Sequence, residues 1–157
     1  MIRIKRTWAM PNKRTFQISP IKRLIERETN GYSRILDLFP YPFEKDALEH
    51  TKEYIDSYFD CVLFDPPYSF HQLNVSYNDK GEKITENYRR DLYNEVARIL
   101  KTTGKCISFG WNSNGLGKGR GFEIERILLV AHGGGHNDTI CTVERKVQRI
   151  LKEKMNR

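Results

Sequence analysis

The chain has 157 residues and a formal net charge of +7. That length gives room for one domain around one core, residues 1–157, with no separate target-recognition domain, and the positive balance suits a polyanionic partner such as nucleic acid. No stretch approaches the roughly 20 apolar residues of a membrane span, and Met1–Arg6 lacks the apolar core of a secretory signal, so a cytoplasmic location and no membrane partner are expected.

Behind a basic N-terminal arm, Pro20 to Glu28 is expected to form a short amphipathic helix. Ile21, Leu24 and Ile25 recur at i, i+3 and i+4, and Pro20 takes a permitted first-turn position. Ile35 to Phe39 reads as a short strand halted by Pro40 and Pro42, and Asp46 to Tyr58 as a second helix with Asp46 near its start. The apolar run before Asp65 is a strand from Asp60, and the polar stretch from Ser69 to Thr85 a loop beside the site. Glu86 to Lys101 carries Leu92, Val96, Ile99 and Leu100 on one face, a helix ended near Gly104. A strand from Lys105 to Trp111 and a Gly-rich loop to Gly121 follow. Glu123 to Ala131 and Thr139 to Val143 are strand-like runs joined by the Gly-rich His132–Asp138, and Lys146 to Arg157 reads as a basic helix. Strands alternating with helices and closing on a hairpin describe a doubly wound α/β sheet of about five strands with an antiparallel edge. Cys61, Cys106 and Cys141 are odd in number, far apart and set in apolar runs, which suits buried free thiols.

The segment with the most chemical content is Asp65-Pro66-Pro67-Tyr68, directly after Cys61-Val62-Leu63-Phe64. Each proline fixes its own φ, lacks an N–H and pushes its predecessor into extended backbone, so the turn is rigid and its carbonyl bare. In that frame the Asp65 carboxylate and the Pro66 carbonyl can both accept from one exocyclic NH₂ group, while Tyr68 offers a flat face to a base. An aromatic amine is a poor nucleophile because its lone pair is delocalised into the ring. Two acceptors drawing on its protons favour a tetrahedral nitrogen whose lone pair points at an incoming methyl group, a form of electrostatic preorganisation. The C-terminal edge of a strand is where open α/β sheets place ligands.

These four residues resemble the catalytic motif of S-adenosylmethionine-dependent amino-methyltransferases that modify adenine N6 or cytosine N4 in DNA. Trp8–Phe16, Ser108–Gly115 and His132–Ile140 extend the resemblance to a small adenine-methylase-like family carried on phages and mobile elements, over nearly the whole chain. It implies a reduced Rossmann-like methyltransferase fold with an antiparallel C-terminal hairpin, and catalysis by Asp65, Pro66, Pro67 and Tyr68 on a DNA adenine. The family holds its cofactor at a strand followed by an Asp-x-Phe-x-Gly turn. This chain has Asp37-Leu38-Phe39-Pro40-Tyr41-Pro42, without the glycine, and only six residues lie between Phe39 and Asp46, too few for a βαβ crossover. S-adenosylmethionine, if bound, must then be held by Phe16, Ile18, Asp37, Asp46 and the Asp65 loop, with a homodimer as a way of completing the site.

Asp37 and Asp46 also suit a strand end and a helix cap. Gly115–Gly121 lacks the ending of a phosphate-binding P-loop, and its Lys118 and Arg120, with Lys13 and Arg14, are expected on nucleic-acid phosphates. His132 and His136 lie on a Gly-rich loop with no third ligand, so no metal site is expected. Two alternatives stand beside the DNA adenine methyltransferase. One is a degenerate relative that binds DNA or inhibits another protein without catalysis, and the other is an RNA amino-methyltransferase.

Overall fold

The computed structural model describes residues 1–40, 45–66 and 86–147. In chain order these form β1 (Arg3–Trp8), a 3₁₀ turn (Thr15–Gln17), α1 (Ser19–Glu28), β2 (Ile35–Asp37), α2 (Ala47–Lys52) and β3 (Phe59–Phe64). They continue with α3 (Glu86–Ile99), β4 (Leu100–Gly110), a second 3₁₀ turn (Lys118–Arg120), β5 (Phe122–Ala131) and β6 (Thr139–Lys146). One six-stranded sheet runs in the order β1-β5-β6-β4-β3-β2. β6 is antiparallel to both of its neighbours and every other pairing is parallel, so β1 to β5 all end on the same edge.

β3 shows why its sequence is a continuous apolar run. Cys61 and Leu63 point to the face covered by α1, where they meet Ile21, Leu24, Ile107 and Val143. Val62 and Phe64 point to the other face, against Leu92, Val96 and Ile99 of α3. A strand buried on both faces has no polar side to alternate with. The architecture is therefore the doubly wound, Rossmann-like α/β arrangement. The three thiols are free and buried, and burial pushes the Cys61 thiol up to about 12.

The expected strand count and hairpin position need correction. The sheet has six strands because Arg3–Trp8, expected as a basic arm, pairs along its whole length with β5. Its side chains are almost all exposed, so no alternation of apolar residues announces it. The hairpin of β5 and β6 does not form the antiparallel edge, since β6 is inserted between β4 and β5 and the edge strands are β1 and β2. α3 stops at Ile99 and β4 begins at once, because the carbonyls of Arg98 and Ile99 accept from Ser57 N (2.9 Å) and Tyr58 N (2.8 Å), which lie just ahead of β3. α2 is shorter than expected and ends at Lys52. Lys146 belongs to β6; the remainder of the expected C-terminal helix, and the loop over 69–85, lie outside the described residues.

Candidate functional site

The C-terminal edge of the parallel strands gathers the chemically interesting groups. Asp65 follows Phe64 at the end of β3, and Asp37 closes β2 in register with Leu63. Two neighbouring strands thus deliver two carboxylates to one corner. Part of Asp65 reaches the surface, but burial pushes its carboxyl up to about 6. The Thr15 hydroxyl beside it pulls the other way, and the negative charge of Asp37 adds to the rise. Burial also raises the Asp37 carboxyl, against the single backbone donor Phe39 N at 3.2 Å. Among the described residues no cation acts on either group. Two carboxylates desolvated side by side are held at a cost that a cationic ligand would relieve.

Thr15 reaches Asp65 because the segment after β1 crosses the sheet's edge. Ala9 N donates to Ala131 O (3.0 Å), and buried His132 anchors the same point. Its Nδ1–H donates to the Ala9 carbonyl at 2.9 Å, while Nε2 stands 2.8 Å from the Thr139 hydroxyl. His132 is therefore a structural staple between the hairpin loop and the crossing segment. At that segment's end, Thr15 is buried on the 3₁₀ turn and Phe16 packs on Phe109 with ring centroids 5.0 Å apart.

Comparison with known proteins places this arrangement among loosely similar folds. No family model matches the sequence, and no curated protein is similar enough to match it. Among solved structures, TrmN from Thermus thermophilus is similar at 18% identity, over 66% of this chain and 27% of that one, with a TM-score of 0.39. A provisionally assigned DNA modification methylase, also from Thermus thermophilus, is similar at 14% identity, over 78% of this chain and 59% of that one, TM-score 0.43. A SAM-dependent methyltransferase from Methanosarcina mazei is similar at 11% identity, over 93% of this chain and 83% of that one, TM-score 0.43. The chain thus spans less than two thirds of the first two proteins. At such scores the overlap is loose, so the chemistry is taken from this chain's own residues.

The other residues singled out from the sequence fall in different places. Pro66 follows Asp65 at the same edge, while Pro67 and Tyr68 lie outside the described residues. Ile18 is 5% exposed and packs in the core on the α1 side. Asp46 caps α2, its Oδ1 accepting from Glu49 N (3.0 Å) and its Oδ2 from the Tyr88 hydroxyl (2.7 Å), which ties α2 to α3. Lys13 and Arg14 are exposed on the crossing segment, beside the corner that holds Asp65. Lys118 and Arg120 sit next to Phe122, the first residue of β5, and so toward the opposite edge. Arg120 is engaged there with Asn94 (2.8 Å), the Leu116 carbonyl (3.1 Å) and the Tyr93 ring (5.2 Å).

Sequence reasoning missed Thr15 and Glu144. Thr15 lies inside a stretch already noted for its resemblance, but nothing local ties it to Asp65. Glu144 is fully buried and accepts from Leu116 N (2.8 Å) and Gly117 N (3.0 Å), folding the Gly-rich loop onto the sheet. A lone Glu in the strand-like run before Lys146 gives no hint of this.

Proposed function

We propose that the protein is an S-adenosylmethionine-dependent methyltransferase acting on the exocyclic N6 amine of adenine in DNA, carried by a single domain. The observation that supports this most directly is the pair Asp37 and Asp65. They are two carboxylates raised by burial on adjacent strand ends, with no cation acting on them among the described residues. A sulfonium-bearing ligand with an ammonium group has the charge this corner lacks, and S-adenosylmethionine would supply an electrophilic methyl there. Asp37 is placed to meet the ligand's polar groups and Phe16 its apolar surface. Ile18 and Asp46 support them from the core and from α2.

Asp65 then has two tasks. Ionised, it accepts a hydrogen bond from the target amine alongside the Pro66 carbonyl, which turns the nitrogen lone pair toward the methyl. With its carboxyl drawn up to about 6, it can also take the proton that the nitrogen sheds as its new N–C bond forms.

The lack of a glycine after Phe39, together with β2 standing at the sheet's edge, favours one competing reading. In it the protein keeps the base-facing corner and binds DNA without catalysis. Calorimetric titration with S-adenosylmethionine, followed by transfer of a labelled methyl to adenine-containing DNA, separates the two. Saturable binding and N6-methyladenine in the product support the enzyme. Absence of binding at millimolar ligand, with and without DNA, leaves the non-catalytic reading.

A further inference from the structure

The chain contains two tryptophans, Trp8 and Trp111, and the fold brings both to the edge that carries Asp65. Trp8 ends β1 and is 60% exposed, and Trp111 follows the last residue of β4 and is 50% exposed. Large aromatic rings left half open to water cost hydrophobic free energy unless a partner covers them. β1 and β4 are separated by β5 and β6, so three strand spacings, about 14 Å, lie between the two positions. The crossing segment with exposed Lys13 and Arg14 leaves Trp8 and ends at Thr15, beside Asp65.

The Trp8 indole lies along the hairpin loop. A Cβ built on Gly133 would stand 3.3 Å from Trp8 Nε1, so only glycine gives the ring its full room. The His132 staple to Ala9 fixes the backbone directly after it. Arg6, two residues earlier on β1, shares a strand face with Trp8. Among the described residues, none of Arg6, Lys13 and Arg14 is in an ion pair. Two indoles interleaved with uncommitted cations form the pattern that stacks bases and meets phosphates along a single strand.

We infer that this rim binds unpaired DNA, with bases stacked on Trp8 and Trp111 and phosphates met by Arg6, Lys13 and Arg14, and that it leads the strand to Asp65. A duplex keeps its base faces inside its own stack, so a planar partner at the rim selects a strand whose bases are free. The inference rests on the proposed amine-methylating role of Asp65 only for the destination of the strand.

Because both tryptophans lie on the rim, intrinsic fluorescence of the full-length protein reports on it directly. Titration with a single-stranded adenine-containing DNA oligomer should quench the emission saturably, and the affinity should fall steeply as salt rises. A duplex of the same sequence should bind at least tenfold more weakly. Followed by anisotropy of the labelled strand, Trp8→Ala and Trp111→Ala should each weaken binding by roughly 5- to 150-fold. Trp8→Phe and Trp111→Phe, which keep an aromatic face, should retain most of the affinity and control for misfolding. Equal or tighter binding to the duplex, affinity indifferent to both alanine substitutions, or preference for the matching RNA oligomer would overturn the inference. Transfer of a labelled methyl by the wild-type protein is measured in parallel on the single strand and the duplex. Rim binding by wild type without methyl transfer would therefore sink the enzymatic reading alone, whereas methylation of duplex DNA unaffected by either Trp→Ala change would sink the rim alone.

Discussion

Thr15, on the turn ahead of α1, stands beside Asp65 at the end of β3, and its hydroxyl pulls the carboxyl down against the rise that burial causes. That hydroxyl opposes the desolvation of the carboxylate while leaving its acceptor capacity for a ligand. Thr15→Val should remove it with little change in volume and push the Asp65 carboxyl further up. The expected outcome is a 10- to 100-fold fall in methyl transfer, of the order of one charged hydrogen bond, and an acid limb of the rate profile displaced to higher pH. Thr15→Ser should restore both. A pH profile identical in Thr15→Val and wild type would remove the positioning role.

The raised carboxyl of Asp65 carries a sign for stability. Its folded value, about 6, exceeds the ordinary 3.8, so the native state holds the proton more tightly than the unfolded chain. The resulting stabilisation is complete below the ordinary value and lost as pH rises through the folded one. Denaturant titrations should therefore show wild type losing ground to Asp65→Asn between about pH 4 and 6, with a constant offset above. A difference that does not vary over that window would contradict the burial of this carboxyl.

A cationic ligand at the corner should reverse that cost. Binding of S-adenosylmethionine near pH 5.5 should release a proton from Asp65, seen as a binding enthalpy that depends on the buffer's own ionisation heat. Asp37→Asn should weaken binding by roughly 10-fold or more, the worth of a hydrogen bond to a charged group. Buffer-independent heats with unchanged affinity would place the ligand elsewhere.

Away from the site, Glu28 binds Lys105 at 2.9 Å and Arg126 at 3.0 Å under the α1 face. Burial pushes its carboxyl up, but the Lys105 hydrogen bond and the charges of Lys105, Arg126 and Arg27 outweigh this and hold it below the usual range. Glu28→Gln leaves Lys105 buried without its counter-charge and should cost roughly 3–5 kcal/mol in denaturant unfolding. The wild-type contribution should fade as pH drops through the lowered carboxyl value, so the gap between the two proteins should narrow in acid. A pH-independent gap would show that packing, not charge, sets the loss.

At the Gly-rich loop, a Cβ on Gly115 would fall 2.2 Å from Glu144 Oε2, and its φ of +58° is already strained for other residues. Gly115→Ala should expel the carboxylate from the Leu116 and Gly117 amides at a cost on the order of 2–5 kcal/mol. The melting temperature should drop accordingly; a change within error would mean that the loop is held by other contacts.

What the sequence determined by itself was local. The apolar run of β3 fixed where Asp65 would stand, the 3.6-residue spacing of Leu92, Val96 and Ile99 marked α3, and the Gly-rich stretch between two apolar runs marked the β5–β6 hairpin. These signals are legible because each element's burial pattern is written in its own neighbours. Tertiary structure decided the rest. β1 is a strand because β5 offers it an edge, and β6 sits inside the sheet because β4 and β5 both pair with it. Thr15 meets Asp65, and Asp46 meets Tyr88, only once distant segments are packed. The basic residues expected to act together are divided between opposite edges for the same reason: strand direction, which no local pattern encodes, decides which end of the sheet each loop occupies.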